Sequence, residues 1–287
     1  MQCEGFSASE VIVYADGPRN KSDEDGVRQV RELLETRKTS NMTVVTRESN
    51  FGLANSIMSA VTDITRRAGR VIVVEDDLVL QPSSLIWLNS GLDAYEHEER
   101  VMQISAYQYR VPEFASRQQG SFQRFATTWG WATWRRAWDK FDAKAIGWES
   151  VREDMAVRTA FDAGGVYPFS AMLEKQMAGK VDSWGIRWSW SVFREKGLTL
   201  MPPRSLVTNT GMDASGTHNS IGALKRFVSG PAPLLWTAPD PPSLPVGVTL
   251  SPDDEGAFRQ GLRRTNVMRN ARIKAILAGM GLSRFAN

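Results

Sequence analysis

Val71-Ile72-Val73-Val74-Glu75-Asp76-Asp77 is an apolar run that ends in three consecutive carboxylates. Four β-branched residues without alternation predict a strand buried on both faces, spanning Val71 to Glu75, with the acids where the chain leaves the sheet. In open α/β sheets that edge is where ligands bind. Asp and Glu are hard oxygen donors suited to Mg²⁺ or Mn²⁺, and such a cation is a usual means of holding a diphosphate. The competing reading is that the acids only solvate a turn ahead of Pro82-Ser83-Ser84, which has the form of a helix start.

Toward the N-terminus, Val11 to Ala15 reads as a short strand that must turn at Asp16-Gly17-Pro18. A helix is expected from Asp23 to Lys38, with Val27, Val30, Leu33 and Leu34 on one face. Met42 to Thr46 is a second strand, and Asn50 is placed to cap a helix through Arg67 that turns Leu53, Ile57, Ala60, Val61 and Ile64 inward. Toward the C-terminus follow a helix from Ser83 to Tyr95 and a strand from Val101 to Ala106. This alternation implies a parallel sheet with right-handed crossovers. After Tyr107 the pattern changes. Two aromatic runs, Thr127 to Trp138 and Trp184 to Trp190, enclose helical stretches at Ser150 to Ala163 and Pro168 to Met177, and residues 230–252 are Pro-rich and irregular. Most of the tryptophans are expected to build core, and one or two to line a cleft.

A hydrophobic content of 42% with 23% charged residues is that of a globular protein, and a formal net charge of only +3 argues against nucleic-acid binding driven by overall field. Cys3 is the sole cysteine, which excludes an intramolecular disulfide framework and fits a reducing cytoplasm. No apolar run approaches the ~18 residues of a membrane span, and the first residues lack the order of a signal peptide. From Arg259 to Arg284 the chain carries seven basic residues and no acid, with Val267, Ile273, Ile276, Leu277 and Met280 at loosely helical spacing. Such a tail reads either as a surface for peripheral contact with the inner face of an anionic membrane or as a solvated terminal helix.

Asp16-Gly17-Pro18, Asn50-Phe51-Gly52-Leu53-Ala54, Val73-Val74-Glu75-Asp76-Asp77, Trp129-Gly130-Trp131-Ala132-Thr133-Trp134 and Ser215-Gly216-Thr217-His218 occur here in one order. In that order the chain, over residues 8–220, resembles bacterial glycosyltransferases of the GT-A fold, relatives of the eukaryotic N-acetylglucosaminyltransferases that begin complex N-glycan branches. The resemblance implies an α/β architecture of Rossmann type, a mostly parallel sheet flanked by helices. It divides the chain into a nucleotide-sugar-binding half (1–107), an acceptor-side half (108–229) and a connection with a basic helix (230–287). It also implies an opening strand and helix ahead of Val11, of which only the helix tail is represented here, so the sheet would lack one strand and the donor site one wall.

The same resemblance assigns roles. Asp77 becomes the direct ligand of Mn²⁺ or Mg²⁺, with Glu75 and Asp76 accepting hydrogen bonds from the donor sugar and ribose. Asp16 accepts the imide N–H of a uracil-type base, and Asn50 and Gly52 close the nucleotide pocket around a UDP-sugar or other nucleoside diphosphate sugar. His218 completes the metal site when its loop folds over the donor, although a loop histidine is as readily just solvated. Asp182 is the candidate general base of an inverting transfer, with Glu174 and Asp213 as alternatives, and Arg187 neutralises the departing diphosphate or else salt-bridges locally. The implied reaction moves a sugar from the nucleotide donor to a glycan or lipid-linked acceptor. A sugar-phosphate nucleotidyltransferase and a non-catalytic carbohydrate-binding relative are the competing readings. Donor sugar, linkage and oligomeric state have no signature in the chain.

Overall fold

Strand formation follows the β-branched runs. Val11–Ala15 (β1) and Met42–Thr46 (β2) pair in parallel, Val11 opposite Met42 and Ala15 opposite Thr46, at the boundaries expected from sequence. Glu24–Arg37 (α1) joins them and Leu53–Ala68 (α2) follows. The chain continues through Arg70–Val73 (β3), Leu78–Leu80 (β4), Ser84–Ala94 (α3), Val101–Ser105 (β5), Ser121–Gln123 (β6), Trp131–Trp134 (β7) and Arg135–Trp138 (α4). Next come Ser150–Glu153 (α5), Met155–Phe161 (α6), Phe169–Met177 (α7), Trp184–Arg194 (α8), Leu198–Met201 (β8) and Val207–Asn209 (β9). This computed structural model describes residues 3–210 and 241–264. His218, Asp213, the loop around them, the first part of the Pro-rich stretch and the basic tail beyond Arg264 lie outside the described residues.

The result is a mixed α/β fold with helices flanking its sheets, but the principal sheet is not mostly parallel. Its order is β3-β7-β5-β8-β6, and only β5 and β8 pair in parallel. The aromatic run Trp131–Trp134 inserts as an antiparallel strand between β3 and β5, and β6 is antiparallel to β8. Strands from both sides of residue 107 therefore share one sheet. β3 also stops earlier than expected, at Val73, because its partner β7 begins only at Trp131. The preceding Gly130 has φ +62°, and its carbonyl turns to accept from Ala106 N at 2.7 Å, leaving Val74 unpaired and exposed. The helix expected over Ser150 to Ala163 is two short ones, since Asp154 is extended and its carboxylate caps α6 through Ala156 N and Val157 N.

Among the described residues β1 pairs only with β2, and β3 only with β7. α2 ties these two sheets together. Asp63 on α2 accepts from Tyr14 Oη at 2.9 Å, Arg67 reaches Glu10 at 3.4 Å, and the helix then packs along β3. Its 16 residues carry the chain back about 24 Å, so β3 starts at the far edge and runs in the same sense as β1 and β2. The loops after β1, β2 and β3 consequently emerge at one edge.

The tryptophans mostly pack, as expected: Trp87, Trp131 and Trp188 are fully buried, and Trp131 lies against Trp184, Trp188 and Trp138 at centroid distances of 5.3 to 6.0 Å within one cluster. Residues 243–250 lie against β6 and α3, with Tyr95 Oη donating to Pro245 O at 2.8 Å. The described start of the basic tail, helix 252–264, buries Phe258 and Leu262 in a second core, and Arg259 and Arg264 pair with Glu255 and Glu113.

Candidate functional site

Three loops meet the edge where β1, β2 and β3 end. At the first two, Asp16 and Asn50 lock one loop onto the other. Asp16 accepts the Phe51 N–H with both oxygens, at 2.9 and 3.1 Å, and the Gly17 N–H at 3.1 Å. Asn50 returns the contact by donating Nδ2 to Gly17 O at 3.0 Å. The loops touch so closely that a Cβ on Gly17 would stand 2.6 Å from the Ser49 carbonyl carbon, a position only glycine tolerates. Asn50 is not the cap expected of it. The helix starts at Leu53 after Gly52, which has φ +74°, and Asn50 Oδ1 accepts from Gly52 N at 3.0 Å. Arg47 stacks over the exposed Phe51 ring at 4.3 Å, and Leu53, expected inward, is also exposed. The pair thus builds a small platform of backbone and aromatic surface.

The carboxylates follow β3 in a tight turn closed by Leu78 N on Glu75 O at 3.2 Å. Asp76 is exposed, while Glu75 and Asp77 are half-buried. Burial, reinforced by the neighbouring charges of Asp77 and Asp76, pushes the Glu75 carboxyl up to about 7. Such crowding of like charge favours either a proton or a cation at the turn.

Asp77 is the most constrained of the three. β4 pairs with β9 so that Leu78 faces Asn209. Asn209 Nδ2 donates to Asp77 Oδ2 at 3.0 Å, and Thr210 gives both its N–H and its hydroxyl to Asp77 O, at 2.7 and 2.9 Å. Asp77 Oδ1 is buried with no hydrogen-bond partner among the described residues. An orphaned buried carboxylate oxygen fits a divalent cation. Among the described residues no three His, Cys, Asp or Glu side chains converge, so a cation here would need ligands of other kinds beside Asp77.

Asp182 and Arg187 reach the same edge by a different route. Val73 pairs with Trp131, Trp131 stacks on Trp184 at 5.3 Å, and Gly185 abuts Thr128, which places the α8 N-terminus one strand from the end of β3. There Arg187, 9% exposed, holds the exposed Asp182 at 3.2 Å and donates to Ser183 O at 3.2 Å. The two are brought together as an ion pair. Glu174 is instead committed to Arg158 at 3.0 Å on α7.

No family model matches the chain, and no curated protein matches it closely. The site rests on its own geometry.

Asn209 carries no signal in the sequence, being a lone Asn at the end of a Val-Thr-Asn segment. Trp129, in the run of which one or two rings are expected to line a cleft, is half-buried beside the Gly130 break and edge-on to Tyr107 at 4.7 Å.

Proposed function

We propose that this chain is a metal-dependent, inverting glycosyltransferase of GT-A type that moves a sugar from a nucleoside diphosphate sugar to a glycan or lipid-linked acceptor. The observation that carries the reading is Asp77: a strand-end carboxylate clamped through its backbone and one oxygen, with the other oxygen buried and unmatched. A Mn²⁺ or Mg²⁺ held there would supply Lewis-acid stabilisation of the leaving diphosphate. Asp77 would hold that ion, with Glu75 and Asp76 beside it accepting sugar and ribose hydroxyls. The platform of Asp16, Asn50 and Gly52 would receive the base, Arg47 and Phe51 giving it a stacking surface. Asp182, held by Arg187, would take the proton of the acceptor hydroxyl. Trp129 would offer its face to a sugar ring.

Two observations favour a second reading, a carbohydrate-binding relative without turnover. The Asp16 carboxylate already receives the Phe51 N–H, and Arg187 is already spent on Asp182. UDP titration by calorimetry with and without Mn²⁺ separates the two. We expect Mn²⁺-dependent UDP binding that Asp77→Ala abolishes while the melting temperature shifts little. Binding that ignores both Mn²⁺ and the substitution would discard the transferase reading.

A further inference from the structure

Asn209 closes β9 and is 9% exposed, yet its side chain is only half satisfied. Its hydrogen bond to Asp77 fixes which way the amide lies, because a carboxylate accepts only, and the nitrogen must face it. Asn209 Oδ1 is therefore not used in that bond, and it is buried with no partner among the described residues. Asp77 Oδ1 is in the same condition. Two linked side chains thus present two buried acceptor oxygens and no proton to share between them. Neither oxygen can satisfy the other, and a hard cation is the kind of partner both lack, since amide and carboxylate oxygens are ordinary ligands of Mg²⁺, Mn²⁺ and Ca²⁺. The frame is rigid as well: Leu78 pairs with Asn209, and Thr210 binds the Asp77 carbonyl twice.

We infer that Asn209 is the second protein oxygen of the cation site, facing the ion through Oδ1 while its Nδ2 orients the Asp77 carboxylate. The inference rests on the metal reading of Asp77 and extends it to a residue on a distant strand. Asn209 and Asp77 would then select a hard divalent ion before any nucleotide arrives, through a mixed amide and carboxylate pair.

The test uses the full chain and Mn²⁺, read by the loss of the free Mn²⁺ paramagnetic signal, with and without UDP. Asn209→Ala is expected to weaken Mn²⁺ binding about 10- to 100-fold. Asn209→Asp separates the two parts of the role, because it keeps an oxygen and removes the N–H. It should retain Mn²⁺ within about threefold of the parent or tighter, and its melting temperature should rise more on Mn²⁺ addition than the parent's, because the ion relieves repulsion between two adjacent carboxylates. If Asn209→Asp loses Mn²⁺ as Asn209→Ala does, Asn209 only orients Asp77 and the inference falls. Undiminished binding in a folded Asn209→Ala, while Asp77→Ala loses the ion, overturns the inference and leaves the proposed function standing. A folded parent that takes up no Mn²⁺ even with UDP present removes both.

Discussion

β1 and β5 show how little composition alone says about burial. Val11–Ala15 is the more apolar strand, yet only Ala15 is buried, whereas Val101–Ser105 carries Gln103 and Ser105 and is buried throughout. β5 lies between β7 and β8, and its polar side chains are matched. Gln103 accepts from Trp188 Nε1 at 3.1 Å and donates to Thr127 O, and Ser105 meets Thr127 Oγ1 at 2.6 Å. Among the described residues β1 has a partner on one side only, and α1, which packs against β2, buries no residue at all. Position in the sheet decides which apolar strand becomes core. The loops proposed to hold the nucleotide thus sit on the thinly packed part of the molecule, and the proposed catalytic pair on the densely packed part, where α8 buries seven of its eleven residues. Local opening free energy follows such packing, so exchange with solvent is expected earlier in β1 and β2 than in β5 and β8.

The sharpest way to break that comparison is to cut into the dense side. Trp188 is fully buried, packs on Trp131 and Trp138 and donates to Gln103. Trp188→Ala should cost about 3–5 kcal/mol in denaturant unfolding. A loss below about 1 kcal/mol would mean that the aromatic cluster is not the stabilising core.

The turn after β3 comes next. Glu75 in the folded state binds its proton up to about pH 7, against an ordinary value of 4.5. Because the folded state holds the proton more tightly, stability falls as pH rises from about 4.5 through about 7, and the loss is complete above that. Glu75→Gln should therefore be close to neutral at pH 4.5 and stabilise the metal-free protein by about 1–3 kcal/mol at pH 8. Equal effects at both pH values would show that Glu75 ionises freely.

The smallest effect belongs to the thin side. Val30 and Leu33 on α1 are 53% and 56% exposed. Leu33→Ser should change unfolding free energy by no more than about 0.5 kcal/mol. A loss above about 2 kcal/mol would reveal a covered face on α1 and erase the contrast.

The legible parts of the fold were those decided locally. β1, β2, β5 and the core of α1, α3 and α7 follow from β-branched runs and from apolar spacing within a few residues. The missed parts were decided by distant pairing. Trp131–Trp134 carries no alternation that separates a strand from a helix, and it becomes a strand because β3 and β5 leave a place between them. Leu78–Leu80 becomes one because Val207–Asn209 arrives beside it. The site divides in the same way. The acid triplet announces itself, and so does Asp16 in its turn, but Asn209 meets Asp77 across 132 positions of chain, and no short pattern could mark it. Asn before an apolar stretch is usually a cap, but the close approach of Gly17 diverts the Asn50 amide to the neighbouring loop.

The one-sided pairing of β1 also has a bearing on the life of the protein in crowded solution. Val-Ile-Val-Tyr-Ala is short, uncharged and free of proline, the composition from which dry interdigitated fibrils grow when such a segment finds copies of itself. The chain brackets it with a carboxylate at each end, Glu10 and Asp16, and the first is also engaged by Arg67. Stacked in register, these acids would lie against their own images at the 4.7–4.8 Å spacing of the cross-β repeat, and that repulsion opposes each added layer. Independently of any ligand, Asp16 therefore puts at the end of the strand a charge that works against such stacking.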